Sequence, residues 1–112
     1  MKQQRKTNWN LAIASIGVLT LLYVTPSLAK DGANIYKTVC QVCHGTGVMG
    51  APKHGDKAGW ESRLSKGMAT LEKNAIEGFK GKKGIMPAKG GKSSLSDDEV
   101  KAAVAYMVDA VK

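Results

Sequence analysis

Near the C-terminus, apolar residues recur at helical spacing: Val100, Ala103, Val104, Met107, Val108 and Val111 form one continuous stripe. Ahead of them Ser96 and Glu99 make an S-x-x-E capping box, and Asp97 and Asp98 place negative charge in the first turn, where backbone N–H groups lack partners. A helix is therefore predicted from this box to the end of the stripe. A second helix starts near Asp31, with Ile35 and Val39 on one side and Tyr36 beside them. A third spans Met68 to Phe79, with Leu71, Ala75, Ile76 and Phe79 facing inward, and Trp60 to Lys66 reads as a shorter helical turn. No run of alternating β-branched residues suggests a sheet, and the glycines cluster between the helices. The pattern predicts an all-α domain.

The first 29 residues follow a different pattern. Lys2, Arg5 and Lys6 precede the apolar run Leu11–Val24, and small residues Ser27 and Ala29 precede Lys30. This is the layout of an export signal, with cleavage expected after Ala29. As a helix the apolar run would span about 21 Å, short of a hydrocarbon core of about 30 Å, which argues against a retained anchor. Residues 1–29 are thus read as a signal peptide and residues 30–112 as one domain, exported to the periplasm.

A domain that short buries little surface, and Trp60 and Phe79 are its only Trp or Phe residues. A large flat apolar cofactor would supply the missing core.

Both cysteines of the chain and one of its two histidines lie in "KTVCQVCHGTG", as Cys40, Cys43 and His44. Three chemistries use such a cluster: a redox dithiol, half of a zinc site, or attachment of a c-type haem. The dithiol motif is expected beside a βαβ pattern, which the chain lacks. A zinc ion would need Cys40, Cys43, His44 and His54, two of them adjacent and so badly placed for one tetrahedral ion. Haem attachment uses every residue of the motif. Thiols at i and i+3 on a helical turn share one side and reach two vinyl groups of one porphyrin, and the next residue, His44, is carried beneath the iron.

These residues resemble the small class I c-type cytochromes, and most closely the cytochrome c5-like group. The likeness covers "IYKTVCQVCHGTGVMGAPKHGDKAGW", "RLSKGMATL", "IMPAKGG" and "LSDDEVKAAVAYMV", nearly all of the chain from Lys30 onward. It implies a small cytochrome c fold, three to four helices wrapped around one haem c bound covalently through Cys40 and Cys43. It implies His44 and Met86 as iron ligands. Gly84, Pro87, Gly90 and Gly91 around Met86 suit a loop that holds a thioether in a fixed place. Met68 and Met107 lie on helical apolar faces and read as core, as does Met49 in its glycine-rich loop. His54 is read as a partly exposed loop histidine beside Lys53 and Asp56. Further implied roles are Pro52 as acceptor of the His44 Nδ1 hydrogen, Trp60 as a haem-edge aromatic donating to a propionate or packing in the core, and Gly32, Tyr36 and Tyr106 at a crossing of the terminal helices. Cytochromes c5 proper usually carry a second cysteine pair; here the corresponding position holds Lys92.

An iron saturated by His44 and Met86 leaves no position for a substrate, which points away from enzymatic catalysis and toward a soluble one-electron carrier of a respiratory chain. A haem enzyme or gas-binding protein with a labile Met86, and a redox subunit of a periplasmic oxidoreductase, are the alternatives. The formal net charge is +8, with three of the 17 cations in the leader and Lys80, Lys82, Lys83, Lys89 and Lys92 flanking Met86. Export argues against nucleic acid. The lysines predict redox protein donors and acceptors with acidic docking patches, transient contact with membrane complexes among them, and a monomer is expected.

Overall fold

The computed structural model describes residues 30–112; the expected signal peptide over residues 1–29 and cleavage after Ala29 lie outside the described residues. The first helix is continuous but changes pitch. An α-helical start, α1 (Gly32–Ile35), is capped by Asp31, whose carboxylate accepts from the Asn34 N–H at 3.0 Å. A π-helical turn follows over Tyr36–Cys40, and α2 (Gln41–His44) resumes the α pitch. Next come α3 (Lys57–Leu64) and α4 (Met68–Glu77), then the strands β1 (Phe79–Gly81) and β2 (Gly84–Met86), and finally α5 (Asp97–Asp109).

The last helix forms as its sequence dictates. The Ser96 hydroxyl accepts from the Glu99 N–H at 3.2 Å, and the Glu99 carboxylate accepts from the Ser96 N–H at 2.8 Å, completing the capping box. Its stripe is buried, and α1 and α4 both pack on it. With Tyr36, Trp60 and Ala75, the valines and Met107 of this stripe make the core.

The fold is mostly helical, as expected, but it contains a small sheet that the pattern does not announce. Helix α4 stops at Glu77 because Gly78 takes φ 88°, a left-handed conformation open to glycine. Phe79 therefore leaves the helix, pairs with Met86 across an antiparallel hairpin, and is exposed rather than inward-facing. The helical turn expected from Trp60 starts earlier, at Lys57, and ends at Leu64. Among the described residues no helix is long and apolar enough to cross a membrane.

Candidate functional site

The two cysteines occupy the stretch where the first helix changes pitch. Within the π turn the Gln41 N–H donates to the Tyr36 carbonyl, one residue further back than an α-helix allows. Such single π turns are frequent at functional sites. Cys40 and Cys43 are free, half-buried thiols, and burial pushes the Cys40 thiol up.

His44, at the end of α2, is the one buried polar or charged residue among the described residues. Its Nδ1 lies 2.8 Å from the Pro52 carbonyl oxygen. A carbonyl only accepts, so Nδ1 carries the hydrogen and Nε2 keeps its lone pair. Burial holds the imidazole below the ordinary histidine range, helped by the charges of Arg63 and His54 and opposed by the Pro52 hydrogen bond. A neutral ring with a free Nε2 is what a metal requires of histidine.

Trp60 is buried with its ring 6.3 Å from that of His44, centroid to centroid. Its indole N–H donates to the Lys53 carbonyl at 3.0 Å. The indole hydrogen thus has a backbone acceptor, and Trp60 packs in the core, the second of the two roles expected of it, while its ring also lines the site.

Cys40, Cys43, His44, Pro52, Trp60 and Met86 all line one cleft of about 610 Å3. Met86 enters it from the end of β2, on the hairpin, with Pro87 extended behind it. The large exposed hydrophobic residues, Val42, Val48, Met49, Phe79 and Ile85, also line this cleft, Met49 at 75% and Val42 at 74% exposure. Apolar side chains are thus concentrated around one opening rather than scattered. Met107, read as core, is buried and also borders the cleft, while Met68 only packs against the core.

One contributor was not singled out from sequence. Arg63, the one arginine among the described residues, lines the cleft, and its guanidinium donates to the Gly59 carbonyl at 2.6 Å; that uniqueness was the available signal. His54 lies in a turn and is partly exposed, as expected, and its ring packs against both Tyr36 and Tyr106, outside the cleft lining. Among the described residues no three His, Cys, Asp or Glu side chains gather as a metal cage, so the zinc arrangement has no counterpart.

Comparison with known proteins agrees with this geometry. Residues 27–107 match the family model described as cytochrome c oxidase, cbb3-type, subunit III. Cytochrome c-555 of Chlorobaculum tepidum is 55% identical over 80 residues, covering 71% of this chain and 74% of that protein. Cytochrome c5 of Azotobacter vinelandii is 38% identical over 81 residues, covering 70% and 93%. The chain belongs to the class I c-type cytochromes. A cytochrome c solved in an electron transfer complex with nitrite reductase superposes with TM-score 0.64 at 39% identity, covering 73% of this chain and 95% of that one.

As a cytochrome of this family the chain carries one haem c, covalently attached through Cys40 and Cys43, and serves as an electron carrier. The cleft suits that group: two half-buried thiols and a neutral buried imidazole lie on one wall, and apolar side chains make most of the rest.

Proposed function

We propose that this cytochrome is exported, loses residues 1–29 by cleavage after Ala29, and works in the periplasm as a soluble one-electron carrier with no catalysis of its own. The observation that carries this reading is the pairing of His44 and Met86 in one cleft, an imidazole with Nε2 free and a thioether from the far side of the chain. Haem c supplies an iron that exchanges one electron without further chemistry. His44, through Nε2, and Met86, through its sulfur, are the residues that would hold the iron. Pro52 fixes the His44 tautomer and raises its basicity. Trp60 lines the site with its ring beside that of His44.

Partners are redox proteins. The apolar rim of Val42, Met49 and Ile85 offers the contact surface through which electrons cross, and Lys82 and Lys83 beside it supply the attraction to an acidic patch. The likeness to a cytochrome solved with nitrite reductase supports a redox enzyme as the acceptor class.

A redox titration of the reduced, purified protein, followed by exposure to carbon monoxide, tests this function. A single one-electron wave and no carbon monoxide adduct are expected. A ready adduct in the native protein would overturn the carrier reading in favour of a gas-binding or catalytic haem.

A further inference from the structure

The three residues Pro52, Lys53 and His54 form a strap across His44 and Trp60. The Pro52 carbonyl accepts from His44 Nδ1 at 2.8 Å, and the His54 backbone N–H donates to the His44 carbonyl at 2.8 Å. Between them the Lys53 carbonyl takes the Trp60 indole hydrogen at 3.0 Å. Gly50 and Gly55 flank it, both at positive φ, a conformation that favours glycine.

The strap's own anchor is the His54 ring. It lies 4.5 Å from the Tyr36 ring at 32° and 5.2 Å from the Tyr106 ring at 12°, and the two tyrosines are themselves 5.4 Å apart. His54 Nδ1 is buried without a hydrogen-bond partner, so stacking holds the ring there. Tyr36 belongs to the first helix and Tyr106 to the last, so this cluster of three rings ties the strap to the helix crossing.

We propose that His54 is a positioning residue for the iron ligand: its ring, packed against both Tyr36 and Tyr106, fixes the strap that keeps the His44 Nδ1 hydrogen on the Pro52 carbonyl. This rests on the reading of His44 as the proximal ligand. A hydrogen bond to the outer nitrogen of a ligating histidine orients the ring and raises its donor strength, so a loosened strap weakens that donor and favours the reduced iron.

The test uses the haem-loaded protein labelled with 15N in its histidines. Solvent exchange of the His44 Nδ1 hydrogen and the midpoint potential are measured for the native chain, His54→Ala, His54→Phe and Tyr106→Leu. His54→Ala is expected to speed the exchange about tenfold and raise the potential, while His54→Phe, which keeps the stack, stays within about twofold of native exchange. Tyr106→Leu removes one of the two rings that His54 packs against and should also accelerate exchange, which keeps the inference testable if His54→Ala fails to mature. Native exchange and potential in both His54→Ala and Tyr106→Leu, even with lower melting temperatures, would reduce His54 to packing and overturn the inference alone. Absence of iron-shifted His44 ring signals in the oxidised native protein would overturn the ligand reading and this inference together.

Discussion

Gly32 on α1 lies so close to Ala102 on α5 that a Cβ on Gly32 would overlap the Ala102 carbonyl oxygen. The two helices cross backbone to backbone there, and Tyr36 and Tyr106 pack one turn further along. Neither Gly32 nor Ala102 lines the cleft. Gly32→Ala is therefore expected to force the helices apart at a cost of about 1–3 kcal/mol. Thermal melting should show the loss, while the folded fraction keeps its native haem spectrum.

The capping box gives acid sensitivity a definite sign. The Glu99 carboxyl is held below the ordinary glutamate range, first by the Ser96 backbone N–H and then by the Ser96 side chain. Its contribution is fully present above the unfolded value and is lost as pH falls through the lowered folded value. Denaturant midpoints measured across that acid range should fall in the native protein. In Glu99→Gln this part of the slope should vanish.

Attachment is tested by mass. The purified native protein should weigh one haem more than its polypeptide, and acid acetone should extract none. Cys40→Ser or Cys43→Ser should each leave a single thioether and weaken retention, and His44→Ala should prevent normal maturation. Haem freely extracted from the native protein would contradict covalent attachment.

The helices and the haem motif were legible because each rests on local signals. The capping box, the valine stripe of α5 and the spacing of Cys40, Cys43 and His44 are all readable within a few residues. The hairpin was not, because its strands are three residues each and its turn is Lys82-Lys83, without the Asn-Gly or Asp-Gly that marks a tight hairpin. Gly78 carried the missing hint, a glycine at the helix end that released Phe79 from the expected inward face. The resemblance brought Tyr36 and Tyr106 together at the helix crossing, but the packing of His54 against both was not legible, since no local signal says where a loop ring will lie. Trp60 was legible as a site residue, but its hydrogen-bond partner, a backbone carbonyl, has no signature in sequence.

Met86 is held by an unusual fit of the hairpin. A Cβ on Gly50 would overlap the Lys83 carbonyl oxygen, and one on Gly84 would overlap the Met49 carbonyl oxygen. The loop after the haem motif and the hairpin bearing Met86 thus meet backbone to backbone across the cleft rim. Met86→Ala should lose the sulfur-to-iron charge-transfer band in the red, lower the potential and admit cyanide readily. Gly50→Ala should keep the band but bind cyanide faster than the native protein, because the hairpin is pushed outward. Loss of the band in Met49→Ala, with Met86→Ala unaffected, would assign the ligand elsewhere.

The lysines around Met86 divide into two groups. Lys89 is half-buried, with Nζ 3.0 Å from the Asp97 carboxylate and 2.7 Å from the Leu95 carbonyl, so its charge is largely spent inside the fold. Lys82 and Lys83 are exposed in the hairpin turn, on the cleft lining, with no ion pair among the described residues. Lys112 lies beyond α5, paired with Asp109 at 2.7 Å, and does not border the cleft. Charge at the rim steers an acidic partner onto the haem edge, whereas charge at the far end of α5 adds little orientation. Reversal to glutamate at both Lys82 and Lys83 is expected to slow electron transfer with an acidic redox partner by about tenfold at low ionic strength. Reversal at Lys112 should have a much smaller effect. Stopped-flow rates over a salt series check both points, since screening over roughly 10 Å at 0.1 M should erase most of the difference. Rates flat in salt, or equal losses at the two places, would leave the rim lysines as solubility residues and place docking elsewhere.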